Sequence, residues 1–168
     1  MEKIPIKLSR DVIEKNIKEA AEFVKMHASD LNGELLFRGL CPEAERDYQS
    51  TGHLQPYDCE LGVGHAVCFS NDISTALSLA KKRLVITSRD ILDKYDTPID
   101  QRIPGQDAPF REQLMREKGE GNFNGYDVED LMEKRNTIVP TRNPGVYTYC
   151  HRKPLPKKDV LLEIVISE

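Results

Sequence analysis

The chain has 168 residues, 39% hydrophobic and 31% charged, which suits one globular core and leaves too little sequence for two comfortable domains. Its 24 basic and 28 acidic side chains are mixed along the chain and sum to −4, which argues against a general nucleic-acid binder, since phosphate contacts need clustered Lys and Arg. No apolar run approaches the ~20 residues of a membrane span, and the opening MEKIPIKLSRDV lacks the apolar centre of a signal peptide. The expectation is therefore no membrane contact and a cytoplasmic character, either in the cell of origin or as a secreted effector in a host cytosol.

Residues 9–31 have the signature of a first helix. Ser9 is a cap, Asp11 sits in the first turn, Gly33 follows as a stop, and Ile13, Ile17, Ala20, Ala21 and Val24 recur on one face. Leu35, Leu36 and Phe37 then form a short strand that ends at Arg38 and Gly39. Residues 41–63 show neither period and are expected to be mostly loop, with a helical turn around Glu43–Tyr48. A strand over His65–Ser70 leads into a helix over 72–83, where Ser70, Asn71 and Asp72 are all good caps and Ile73, Ala76, Leu77 and Ala80 make an apolar stripe. Lys81, Lys82 and Arg83 would fill the last turn, where positive charge suits the helix dipole.

Leu84–Thr87 follows as a strand. Residues 97–125 are polar and punctuated by Pro and Gly, with short helices expected at 110–118 and 127–135. Strand character returns at 145–150 and 160–166. The order predicts a single α+β domain over 1–168, with a mixed or antiparallel sheet, an N-terminal helix and a strand–helix unit at 64–83.

Among side chains that can carry chemistry, Arg38 at a strand end beside Gly39 can grip a phosphate or carboxylate through two parallel hydrogen bonds, or pair with an acid at a strand edge. Ser70 stands at the strand-to-helix corner, where backbone N–H groups favour anions, and where the same hydroxyl can simply cap the helix. Glu163 lies within LLEIVI, with Asp159 and Glu168 as its nearest acidic rivals. The series Cys41, His53, Cys59, His65, Cys68 holds zinc-ligand types at spacings of no paired-ligand pattern, so core thiols and surface histidines are the expected reading. Cys68 with His65, and Cys150 with His151, point to opposite faces of their strands, which argues against nucleophilic dyads.

Taken together, LLFRGL, GHAVCFSNDISTALSLAKK and a late acid resemble the arginine–serine–glutamate branch of the ADP-ribosyltransferase superfamily, whose members act on NAD. The resemblance covers three short segments spread over most of the chain. It implies that Arg38, with Gly39 beside it, holds a phosphate or the nicotinamide ribose. The branch's Ser-Thr-Ser stands here as Phe69-Ser70-Asn71, so Ser70 would shape the nicotinamide pocket and orient the acid. Glu163 or Asp159 would stabilise the oxocarbenium-like transition state as nicotinamide leaves. The implied activity is transfer of ADP-ribose to a protein acceptor, as in an effector or toxin. The alternatives are an NAD glycohydrolase or an RNA 2′-phosphotransferase-like enzyme on the same scaffold, or a non-catalytic module that binds phosphate or protein.

Overall fold

The computed structural model describes residues 5–59, 64–94, 138–141, 143, 145–151 and 153–168. The segment 97–125 and the helices expected at 110–118 and 127–135 lie outside these residues. In chain order the described elements are β1 (Ile6–Ser9), α1 (Arg10–Lys15), α2 (Ile17–His27), β2 (Leu35–Leu40), α3 (Pro42–Thr51), β3 (His53–Leu54), β4 (Tyr57–Cys59) and β5 (Gly64–Ser70). They continue with α4 (Ile73–Leu79), β6 (Arg83–Ser88), α5 (Arg89–Asp93), β7 (Ile138–Pro140), β8 (Tyr147–His151), β9 (Leu155–Pro156) and β10 (Leu162–Ser167).

The sheet runs β1-β10-β6-β2-β5-β8-β7, with β4 pairing β5, and β3 with β9 forms a small second sheet. Pairing is antiparallel throughout the main sheet except where β1 lies parallel to β10, so the fold is α+β with a mixed sheet. Each face carries its own core. On one face Leu36, Leu40, Val67, Phe69, Val85 and Tyr149 pack under α3, α5 and β9. On the other, Phe37, Leu84, Ile86 and Ile164 pack under α1, α2 and α4. β6 is covered on both sides, which is why LVIT reads as an unbroken apolar run. Among the described residues no helix is long and apolar enough to cross a membrane.

β2 runs on to Leu40, so Arg38 and Gly39 lie inside the strand rather than at its end, held there by pairing with Val85 and Leu84. Four further local expectations change. The first helix is two, because Asn16 takes an extended conformation (φ −157, ψ 92), closes α1 through its N–H on the Val12 carbonyl and caps α2 by accepting from the Glu19 N–H. Asn competes well for such a cap, and the local bonds outweigh its weak helix propensity. The residues before Ser9 form strand β1, whose pairing with β10 is a long-range effect that four residues cannot announce. Residues 42–51 form a full helix rather than a turn. Pro42 opens it, the Cys41 sulfur accepts from the Ala44 N–H, and Gly52 closes it in the left-handed region (φ 74).

The fourth change bears on the site. α4 stops at Ala80 (φ −71, ψ 129), so Lys81 and Lys82 form a bend and Arg83 opens β6 instead of ending the helix. α4 lies so flat on β2 that a Cβ on Gly39 would come 2.3 Å from the Ala76 carbonyl oxygen and 2.5 Å from the Ala80 nitrogen. The space that the missing side chain of Gly39 leaves is thus filled by helix backbone.

Candidate functional site

Sheet register decides which of the sequence-marked residues meet. Arg38 pairs with Val85, and Val85 pairs with Glu163, so these three side chains lie in a row on one face. The row places Arg38 and Glu163 two strand spacings apart, roughly 10 Å. The register that sets Phe37 opposite Ser70 brings Phe69 level with Arg38 on that same face. Ser70 therefore faces the other way, in a row with Thr148, Phe37 and Ile86. Arg38 and Ser70 sit on adjacent, hydrogen-bonded strands, with their side chains on opposite faces.

Each of these groups already has a local role. Arg38 is half-buried, and its Nη1 donates to the Cys68 carbonyl oxygen at 2.8 Å, tying β2 to β5. The Ser70 hydroxyl accepts from the Asp72 N–H at 3.0 Å, and the Asp72 carboxylate accepts from both the N–H and the hydroxyl of Thr75 to cap α4. Asn71 extends the β5–β8 ladder with its amide: Nδ2 donates to the Gly145 carbonyl at 2.8 Å, and Oδ1 accepts from the Tyr147 N–H at 2.9 Å. Phe69, 1% exposed, belongs to the core.

The two acids named from sequence differ sharply. Glu163, 3% exposed, takes a hydrogen bond from Arg83 Nη1 at 2.7 Å, and the same guanidinium donates from Nε to Glu45 at 3.0 Å. Burial works against the Arg83 charge, yet bonding to Glu45, the Glu45 charge and then Glu163 hold its pKa above the ordinary value. Tyr48 stands beside this trio, with the guanidinium carbon 5.9 Å from its ring centre. Burial first, and the Glu163 charge second, push the Tyr48 phenol upward. Glu163 is thus a member of a buried charge network. The signal for that network lay in Arg83, which a helical Lys81-Lys82-Arg83 would turn toward solvent.

Asp159 ends a 3-10 turn (Lys157–Asp159) and is half-buried. Its carbonyl accepts from Thr87 Oγ1 at 2.8 Å, and Thr87 lies on the Arg38 face, paired with Leu36. Asp159 also sits near enough to His151 to favour that ring's charged form. His151, 1% exposed, occupies the same face through its pairing with Val67. Burial, followed by the positive Lys153, lowers its pKa to about 4 against the pull of Asp159.

A pH dependence follows. His151 is depressed below its ordinary unfolded value of ~6.5, so the unfolded chain binds the proton first and stability falls as pH drops through the window from ~6.5 to about 4. The expected loss is up to ~3 kcal/mol at full protonation. Urea midpoints measured across that window should fall in wild type and flatten in His151→Leu; equal slopes in both would refute the assignment.

A cavity of about 460 Å³ opens on the opposite face, at the β5–α4 corner, between α2 and the start of β2. Phe37, Ile73, Asn71, Asp72, Glu34 and Lys25 line it. Glu34 is engaged there by the Tyr147 hydroxyl and by Arg89 Nη1. Glu34 is thus paired with Arg89, and the Thr75 N–H at the start of α4 is already taken by Asp72, so that helix end offers an anion less than its position suggests. Among the described residues no group of three or more His, Cys, Asp or Glu is placed to hold a metal ion.

No family model, curated protein or solved structure matches the chain. The functional reading therefore rests on this chain's own residues and on the resemblance of its three short segments.

Proposed function

We propose that the protein is an NAD-using transferase of the ADP-ribosyltransferase type, with its substrate held on the Arg38 face. One observation carries the reading: the two motif segments, FRG on β2 and FSN at the end of β5, lie on directly paired strands, with Phe37 opposite Ser70. Arg38 supplies a guanidinium able to clamp one phosphate or the nicotinamide ribose. The acid in this proposal is Asp159 rather than Glu163, because Arg83 already neutralises Glu163 within the core. As the bond from ribose C1′ to the nicotinamide nitrogen breaks, its electron pair leaves with nicotinamide. A carboxylate then stabilises the positive ribose until a nucleophile on the protein acceptor attacks and gives up its proton. Ser70 acts only by shaping the β5–α4 corner.

The test is nicotinamide release from NAD by purified protein, with melting curves recorded for every variant. Arg38→Ala and Asp159→Asn should each lower release by about 100-fold with the fold retained, and Arg38→Lys should recover little, since an ammonium lacks the two-pronged fork. Absence of nicotinamide release, whether or not NAD binds, would defeat the proposal.

A second reading, a non-catalytic binding module, is favoured by the structural engagement of Arg38 with the Cys68 carbonyl and by the corner cavity on the other face. It predicts that NAD binds without turnover, or that ligands perturb the Asn71–Ser74 corner and leave Arg38 untouched.

A further inference from the structure

We propose that Cys68 and Cys150 form an oxidation site, in which a low-molecular-weight disulfide such as glutathione disulfide converts the two thiols into a cross-strand bond between β5 and β8. The inference rests on strand register and is independent of the NAD reading. Cys68 and Cys150 are direct partners in the antiparallel β5–β8 ladder, and their sulfurs lie 3.6 Å apart as thiols. Directly opposed residues in such a ladder have Cα atoms roughly 4.5–5.5 Å apart, inside the range of ~4.4–6.8 Å that a disulfide spans. The sulfurs need to close by only about 1.5 Å to reach bonding distance, which side-chain rotation supplies without moving either strand. The small Ala66 side chain packs with the pair.

Exposure sets the order of events. Cys150 is fully buried and Cys68 is half-buried, so the reagent meets Cys68 first. The Cys68 thiolate attacks the reagent's sulfur–sulfur bond, forming a mixed disulfide and expelling one thiolate. The Cys150 thiolate then attacks the Cys68 sulfur and expels the second. Both cysteine sulfurs are oxidised, the reagent is reduced to two thiols, and the two cysteine protons end on those thiols. The bond closes a loop between cysteines 82 positions apart and clamps β5, whose Cys68 carbonyl is the acceptor for Arg38.

The test is intact-mass and peptide analysis of the folded chain incubated with glutathione disulfide at neutral pH. The expected product is lighter than the reduced protein by two hydrogen atoms, yields a linked 68–150 peptide pair, and melts about 5–10 °C higher. Cys41→Ser should form the same product and Cys68→Ser should not. Each of three results would overturn the proposal: a mixed disulfide that persists on Cys68, complete alkylation of both thiols after exposure, or a link to Cys41 or Cys59. Because the decisive readout is the mass of the unsubstituted chain, misfolding of a variant leaves the test intact. Nicotinamide release plays no part in the readout, so this proposal and the NAD reading stand or fall separately.

Discussion

Replacing Glu163 with alanine is expected to destabilise the fold by about 3–5 kcal/mol, the range for removing one partner of a buried ion pair. Glu163 and Arg83 are largely shielded from water and joined at 2.7 Å, so the deletion leaves the guanidinium in the core with Glu45 alone. The loss arises from stranding a charge rather than from the net value of the pair. For the same reason, replacing Glu45, Arg83 and Glu163 together by apolar residues of similar volume should cost far less than the single change. Urea unfolding with unchanged slopes would measure both. A Glu163→Ala loss below ~1 kcal/mol would show that the network carries no stability, and would return Glu163 to consideration as the catalytic acid.

Gly39→Ala is expected to cost about 3 kcal/mol, at the upper end of overpacking penalties, with Gly39→Val worse. The added methyl meets helix backbone, at Ala76 and Ala80, which cannot swing away as a side chain would. α4 would have to lift from β2 and expose Ala76 and Leu77, both 1% exposed now. Gly52 is the control. It has φ 74 and nothing within 4 Å of where a methyl group would stand, so Gly52→Ala should cost only about 1 kcal/mol of backbone strain. Thermal melts should rank the two substitutions in that order, and equal effects would mean that the α4–β2 contact yields easily.

These two sites also show what was legible beforehand. The β5–α4 unit could be read because its signals were local: alternation along the strand, Asp72 as a cap, and apolar residues three and four apart in the helix. The same alternation sets Phe69 and Ser70 on opposite faces of β5. The end of α4 could not be read so, since Lys81-Lys82-Arg83 suits a helix terminus and only the pairing of Arg83 with Leu40 and Val165 draws it into the sheet. α3 was hidden because its buried face amounts to Ala44 and Tyr48, too little apolar pattern to outweigh a loop-like composition. For the site, strand neighbours were legible as motif segments. Which acid the core would absorb was not, because Glu163 is claimed by a residue 80 positions away.

The parallel edge pair has a consequence for assembly. Ile6 on β1 aligns with Ile164 on β10, so β1 finds its partner only after 158 further positions of the chain have been synthesised. Until then β1 waits unpaired beside α1 and α2, while the β2–β6 and β5–β8 ladders can already close. Among the described residues this edge of the sheet closes at the longest strand-to-strand separation. Contacts of such high order slow folding and leave strand edges open to wrong partners, which makes the Ile6–Ser9 segment the place where synthesis rate and chaperone supply would bear on yield.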